Sequence, residues 1–147
     1  MRKRQTELLS VVARKLAPFI FLFGVYLVTF GHISPGGGFQ GGVVVASGLI
    51  LLVLSERQRG SDIGSGRMHL GQKLLTAGES AGFALLLLIG SAGIVLGGFF
   101  LANPAPEVRF LGSERVAFVF ALNVIIGIKV SAGIGLIAVV LFREEES

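Results

Sequence analysis

Cysteine and tryptophan are both missing from this chain of 147 residues, and tyrosine occurs once, as Tyr26. Without cysteine there can be no disulfide, zinc–thiolate site or iron–sulfur cluster, and the redox compartment leaves no trace in the sequence. Without tryptophan the aromatic belt usual at membrane interfaces is thin; twelve phenylalanines stand in its place. Charge is also scarce. Charged residues make up 15% of the chain, against about 25% in soluble domains. With 52% hydrophobic residues and a mean hydropathy of +0.81, disorder is excluded. So is an ordinary soluble domain, whose core at this length would be too small to hide the long apolar runs. There are only two histidines. No nucleophile–base pair, metal cluster or cofactor motif is visible, so independent enzymatic chemistry and a bound cofactor are not expected.

What the chain does have is glycine, 22 residues of 147, about twice the usual ~7%. No G-X-Y period is present, which excludes collagen. In a membrane the remaining use of so much glycine is close helix packing.

Four apolar stretches predict an all-α integral membrane domain occupying 1–147, with spans at about 13–32, 36–54, 77–102 and 116–142. A membrane helix takes about 20 apolar residues. The third and fourth stretches satisfy this easily. The apolar parts of the first two are short, about 24 Å each at ~1.5 Å per residue. Extending the first back to Ala13 lets Arg14 and Lys15 snorkel and leaves Pro18 in the first turn or two, where it costs little. No A-x-A cleavage site follows the first run and three more spans do, so it reads as a retained span.

Lys and Arg set the orientation. Arg2, Lys3, Arg4, Arg14, Lys15, Arg57, Arg59, Arg67, Lys73 and Arg143 fall on one side; Arg109 and Arg115 fall on the other. Both termini are therefore expected in the cytoplasm, with the loop at 32–40 facing outward. The net charge of +4 is thereby accounted for by topology, and nucleic acid is not implied. In the long cytoplasmic loop, 60–66 is a flexible stretch, and 67–76 reads as a short interfacial helix or a solvated loop. Asn103-Pro-Ala-Pro106 is expected to end the third span.

The segment Gly31-His-Ile-Ser-Pro-Gly-Gly-Gly-Phe-Gln-Gly-Gly42 is the most informative. Its literal G-x-G-x-x-G has no strand before it and no βαβ unit around it, so it is not a dinucleotide site. If the flanking spans are too short to cross, this Gly/Pro-broken segment must enter the membrane. There, non-helical backbone is tolerated only under protein or along a water-filled cavity, and such interrupted spans point to ion sites in transporters. Freed carbonyls could then hold a cation transiently near Ser34, Gly36, Gly37 and Gly38, without a fixed metal site. Phe39 would be a plug or packing anchor at the start of the second span. The plainer alternative is a tight outer turn that uses glycine for its geometry.

Ser34-Pro-Gly-Gly-Gly-Phe-Gln-Gly-Gly42, preceded by Gly31-His32, resembles the signature of the MnhB/MrpB family. These are small membrane subunits of Mrp-type multisubunit cation/proton antiporters, found also in the membrane arms of archaeal hydrogenase and sulfane reductase complexes. Gly78-Glu79 and Gly127-Ile-Lys-Val-Ser-Ala-Gly133 resemble further family features, so the likeness covers nearly the whole chain. It implies a multi-pass subunit of a prokaryotic cell membrane, partnered by other membrane subunits and by lipid, and concerned with coupled Na⁺ and H⁺ movement.

The ionisable and polar residues inside the spans are the remaining candidates. Lys129 is in the middle of the fourth span, where a charge is costly and usually functional; it reads as a proton-relay or gating lysine, or as half of a structural ion pair. On a helical wheel Asn123, Gly127, Ser131 and Gly135 share one ~120° arc, with Lys129 and Gly133 opposite. Two polar or small faces on one span suggest that both meet protein; with only three other helices in the chain, partner subunits are the simple answer. In the third span Gly78, Gly82, Gly90, Gly93 and Gly97 form a stripe that includes Glu79, suited to a close helix contact. Glu79 itself is placed near the cytoplasmic boundary, with a lysine of another chain as a candidate partner. His32 is a proton acceptor at a pore mouth or a capping histidine. With Pro35, Phe39, Gln40 and Ser34, these residues make up the candidate ion path.

The function these readings favour is an accessory subunit that helps form or brace the ion path of an antiporter. Two rivals stand beside it, a self-contained four-helix exporter and a scaffold that fills space between larger subunits. The exporter mechanism wants a mid-span carboxylate, and spans one, two and four have none.

Overall fold

A computed structural model describes residues 2–31, 35–57, 64–102 and 114–144. Four helices run Arg2–Phe30 (α1), Gly38–Arg57 (α2), Gly64–Gly97 (α3) and Glu114–Glu144 (α4). No strand occurs among the described residues. Helices are what an apolar chain must form in lipid, because each satisfies its backbone polar groups within one segment. The parts long and apolar enough to cross a membrane are Ser10–Phe30, Gly38–Ser55, Gly71–Leu96 and Ala117–Phe142. The expected all-α, four-span architecture is therefore the one observed.

The helix ends depart from the expectation in instructive ways. α1 reaches back to Arg2, so Pro18 lies in the helix interior and not in its first turns. Lacking an N–H, Pro18 leaves the Arg14 carbonyl without its usual partner. α2 has 20 residues, about 30 Å of helix, and spans by itself. The premise that brought the glycine-rich segment into the membrane therefore fails, because only residues 31–37 separate α1 from α2. Residues 67–76, expected as a separate interfacial helix or a loop, are part of the continuous helix α3.

α3 also stops short of residue 102. Gly98, at φ 81°, takes the left-handed conformation that commonly closes a helix, and its N–H bonds to the Ile94 carbonyl at 3.1 Å. The chain then turns back through Leu101, at φ 61°, with Ala102 N–H donating to the Phe99 carbonyl at 3.1 Å. This turn lies on α3 itself. A Cβ on Gly93 would come within 2.6 Å of the Ala102 nitrogen, and one on Gly90 would collide with the Phe100 ring. Residues 103–106, expected to end the span, lie outside the described residues.

In space the helices follow the order α1, α2, α4, α3, and α1 also touches α4 lightly. Glycine contacts give the directions. Gly38 faces Asn123, Gly42 faces Gly127 and Leu49 reaches Gly135, so α2 and α4 run parallel. Gly24 faces Gly41, while Gly48 faces Ile20 and Phe21, so α1 and α2 are antiparallel. Gly82 faces Lys129 and Gly78 faces Ala132, so α3 and α4 are antiparallel too. The start of α1 and the end of α4 thus share one end of the assembly.

The interior contains almost no bulky side chains. Its buried residues include Ala13, Ala17, Ala46, Ala132 and Val139, with Ser10 and Ser55. Leu and Phe side chains such as Phe19, Leu22, Leu88 and Leu96 point away from the chain. Water-driven burial cannot hold such helices together when the solvent is lipid; small residues do so by letting backbones approach. Hydroxyls inside the spans are satisfied locally. Ser47 Oγ donates to the Val43 carbonyl at 2.9 Å, Ser91 Oγ to that of Leu87 at 2.6 Å, and Thr29 to that of Val25.

Candidate functional site

The glycine-rich segment is a pinched loop. A Cβ on Gly31 would lie 2.5 Å from both the nitrogen and Cα of Gly37, so the two backbones touch. Gly36 rests against the Leu27 carbonyl, 3.2 Å from a Cβ built there. Gly37 has φ 149°, a conformation that side chains disfavour, and its carbonyl accepts the Gly41 N–H at 3.0 Å. These contacts bring Gly31 against Gly37. They also pack the backbone of Gly36, Gly37 and Gly38, the glycines expected to lie near a transient Na⁺. His32 and Ser34 lie outside the described residues.

The start of α2 is fixed from another helix. Asn123 Oδ1, on α4, accepts the Gly38 N–H at 3.3 Å. The first N–H groups of a helix lack intrahelical partners, and here a side chain of α4 supplies one. Gly38 is packed so closely that a Cβ would collide with the Asn123 carbonyl. Pro35 and Gln40 are exposed. Phe39 is 63% exposed, so it does not anchor α2 within this chain. Its ring is presented to whatever lies outside.

The second cluster lies along the seam between α3 and α4. Lys129 is near the centre of the Ala117–Phe142 span. Its stem passes Gly82, where a Cβ would stand only 2.8 Å from the Lys129 Cβ. Its Nζ sits over the Phe83 ring, 5.5 Å from the centroid, close enough for cation–π attraction. Glu79 is on the same face of α3, and its Cγ is 3.6 Å from a Cβ built on Gly133. Glu79 is the ninth residue of the Gly71–Leu96 span, about 12 Å in from its start. The sequence placed it near the cytoplasmic boundary.

The two faces expected on α4 are real, but both are occupied from within the chain. Asn123 and Gly127 meet α1 or α2, Lys129, Ala132 and Gly133 meet α3, and Gly135 lies between Leu75 of α3 and Leu49 of α2. Of the glycine stripe in α3, Gly78 and Gly82 face α4, whereas Gly90 and Gly93 face the chain's own turn. Gly97 closes the helix. The structure brings Lys129 and Glu79 to one seam and joins Asn123 to Gly38. It keeps the two groups apart, on different faces of α4 and about 9 Å apart along its axis.

Four contributors were missed in the sequence. Gly24 and Gly41 form the α1–α2 crossing, Gly42 approaches the Gly127 carbonyl, and Phe83 underlies the lysine. The Gly38-x-x-x-Gly42 spacing was a legible sign of helix contact; Gly24 and Phe83 had none. No group of three or more metal-ligating side chains occurs among the described residues.

Comparison with known proteins fits this arrangement into a family. Residues 8–136 match the family described as a domain related to the MnhB subunit of Na⁺/H⁺ antiporter. The chain is 32% identical over 149 residues to the B-type Na⁺/H⁺ antiporter subunit of Bacillus subtilis, covering 98% of both proteins. It is 44% identical over 52 residues to the corresponding B-type subunit of Alkalihalophilus pseudofirmus, which is 35% of this chain and 36% of that one. A protein of Methanocaldococcus jannaschii is 31% identical over 151 residues; the match takes in 95% of this chain but only 53% of that longer protein. With four membrane-crossing helices and a family match over nearly its whole length, the chain is a multi-pass membrane protein that belongs to the MnhB family of Na⁺/H⁺ antiporter subunits.

Proposed function

We propose that this chain is an accessory subunit of a multisubunit cation/proton antiporter, and that it helps form or brace the path of Na⁺ or H⁺. The observation that carries this is the end-to-end match to the B-type antiporter subunit of Bacillus subtilis. The seam residues support it. An intramembrane lysine is expensive to maintain, and a chain that only filled space would have no use for one. Lys129 can hold or release a proton where few groups do, and Glu79 supplies a carboxylate in the same seam. The chain acts as a transport subunit and not as an enzyme. Its outer faces, with Phe19, Leu22 and Phe23 on α1 and Leu85, Leu88 and Val95 on α3, lie against lipid and against other membrane subunits. By the distribution of Lys and Arg, both termini are cytoplasmic and the pinched loop faces outward.

Purification from the membrane tests the assignment. The chain is expected to be recovered with several partner membrane proteins and to carry no exchange when reconstituted alone. Cation/proton exchange by the isolated chain in vesicles would support the self-contained exporter instead.

A further inference from the structure

The seam between α3 and α4 has a reciprocal pattern. On α3, Glu79 is three residues before Gly82; on α4, Lys129 is four residues before Gly133. Each helix thus offers a glycine to the other's ionisable side chain, Gly82 to Lys129 and Gly133 to Glu79. The helices are antiparallel, so Lys129 and Glu79 differ in depth by about one helical turn, ~5 Å. In the structure the Lys129 Nζ lies over the Phe83 ring; pairing with Glu79 takes a rotation of both flexible side chains across about one helical turn. Gly78, Gly82, Ala132 and Gly133 line this part of the seam, so small residues flank both side chains.

Among the described residues no other ionisable group competes for either partner. The remaining charged residues of α4 are at its ends, Glu114, Arg115, Arg143 and Glu144. On α3, Lys73 is exposed and six residues before Glu79, while Arg67 and His69 lie further towards the start of the helix. α2 has only Glu56 and Arg57, at its end, and α1 does not pack along α3. A lone charge at this depth is costly, and a pair removes most of that cost if its geometry is good.

We propose that Glu79 is the counter-charge of Lys129: the two form an ion pair across the α3–α4 seam within this one subunit, with the Phe83 ring as the lysine's alternative station. The lysine then needs no carboxylate from a partner subunit. The pairing deepens the antiporter reading, since it names the group with which Lys129 shares its charge, but it does not depend on exchange being measured.

A charge swap in the complete complex tests it, read by recovery of the chain with its partner subunits. Glu79→Lys alone and Lys129→Glu alone each put two like charges in the seam. Each should lower recovery roughly tenfold or more, the scale expected for an unpaired charge in the membrane. The swapped chain, Glu79→Lys with Lys129→Glu, should recover to within about twofold of the native level, because a good pair is restored. A second pair of variants guards against a general folding defect. Lys129→Met with Glu79→Gln removes both charges and should assemble better than Lys129→Met alone. A swap no better than the single reversals, or a double neutral variant no better than its parent, would overturn the pairing. Exchange activity is scored separately. A swapped chain that assembles upholds the pair whether or not transport returns, and transport then reports only on the antiporter role of Lys129.

Discussion

Two side chains, one charged and one absent, decide what the α3–α4 seam can do. Lys129→Arg keeps the charge and its pairing but cannot release a proton near neutral pH. The variant is expected to assemble normally and to lose cation/proton exchange in membrane vesicles; full exchange would leave Lys129 only the task of holding the seam. Gly82 is the absent side chain. Its hypothetical Cβ lies 2.8 Å from the Lys129 Cβ, so Gly82→Leu must push the helices apart, at about 1–3 kcal/mol for an overpacked site. A lower detergent-melting midpoint should report this. Gly133→Ala is the control. Its Cβ would only touch the Glu79 stem at 3.6 Å, and the midpoint should stay near the native value. Lys129 was legible as a candidate because charge in an apolar run is conspicuous. Glu79 was seen too, and was placed near the cytoplasmic boundary because the start of α3 lies within a polar run that reads as loop. Phe83 was lost among the other phenylalanines, since nothing in a sequence distinguishes a ring that faces lipid from one that carries a cation.

Between elements, the bond from Gly38 to Asn123 ties the start of α2 to α4. Asn123→Ala removes the acceptor and should cost about 1 kcal/mol, as for other helix caps. Asn123→Asp restores an acceptor and adds a negative charge at the positive end of α2, so it should recover most of the loss. Thermal unfolding of the purified complex distinguishes the two; equal midpoints for Ala and Asp would show that the bond contributes little. The sequence marked Asn123 as part of a polar arc and of the candidate ion path. That the arc meets α2, and not a partner, could not be read from helical phase, which gives the direction of a face but not its neighbour. The Gly/Pro-rich segment showed the opposite error. Its composition was clear, but the unbroken apolar runs beside it are short, although the spans expected around them were 13–32 and 36–54. Arg2–Ser10 and Ser55–Arg57 extend the helices beyond those runs. With α1 and α2 long enough, the loop need not dip into the bilayer.

For the molecule as a whole, four crossings were legible because apolar length is a direct consequence of bilayer thickness. The helix order α1, α2, α4, α3 was not, because small-residue contacts carry no long-range label. The absence of native cysteine makes the topology directly testable. Ser61→Cys and Glu107→Cys introduce single thiols in two different loops. With both termini cytoplasmic, an impermeant maleimide added to intact cells should label the second and spare the first; the reverse pattern would invert the orientation.

The position of α4 between α2 and α3 also bears on how the chain is made. Synthesis delivers α3 before α4, yet α3 packs on α4 and not on the α1–α2 hairpin. While the ribosome is still completing the last helix, α3 has no seat in its own subunit and Glu79 has no lysine opposite. The final helix to emerge is therefore the one that unites the other three, and a nascent chain cut off before residue 114 would hold a paired hairpin and one stray helix with a bare carboxylate.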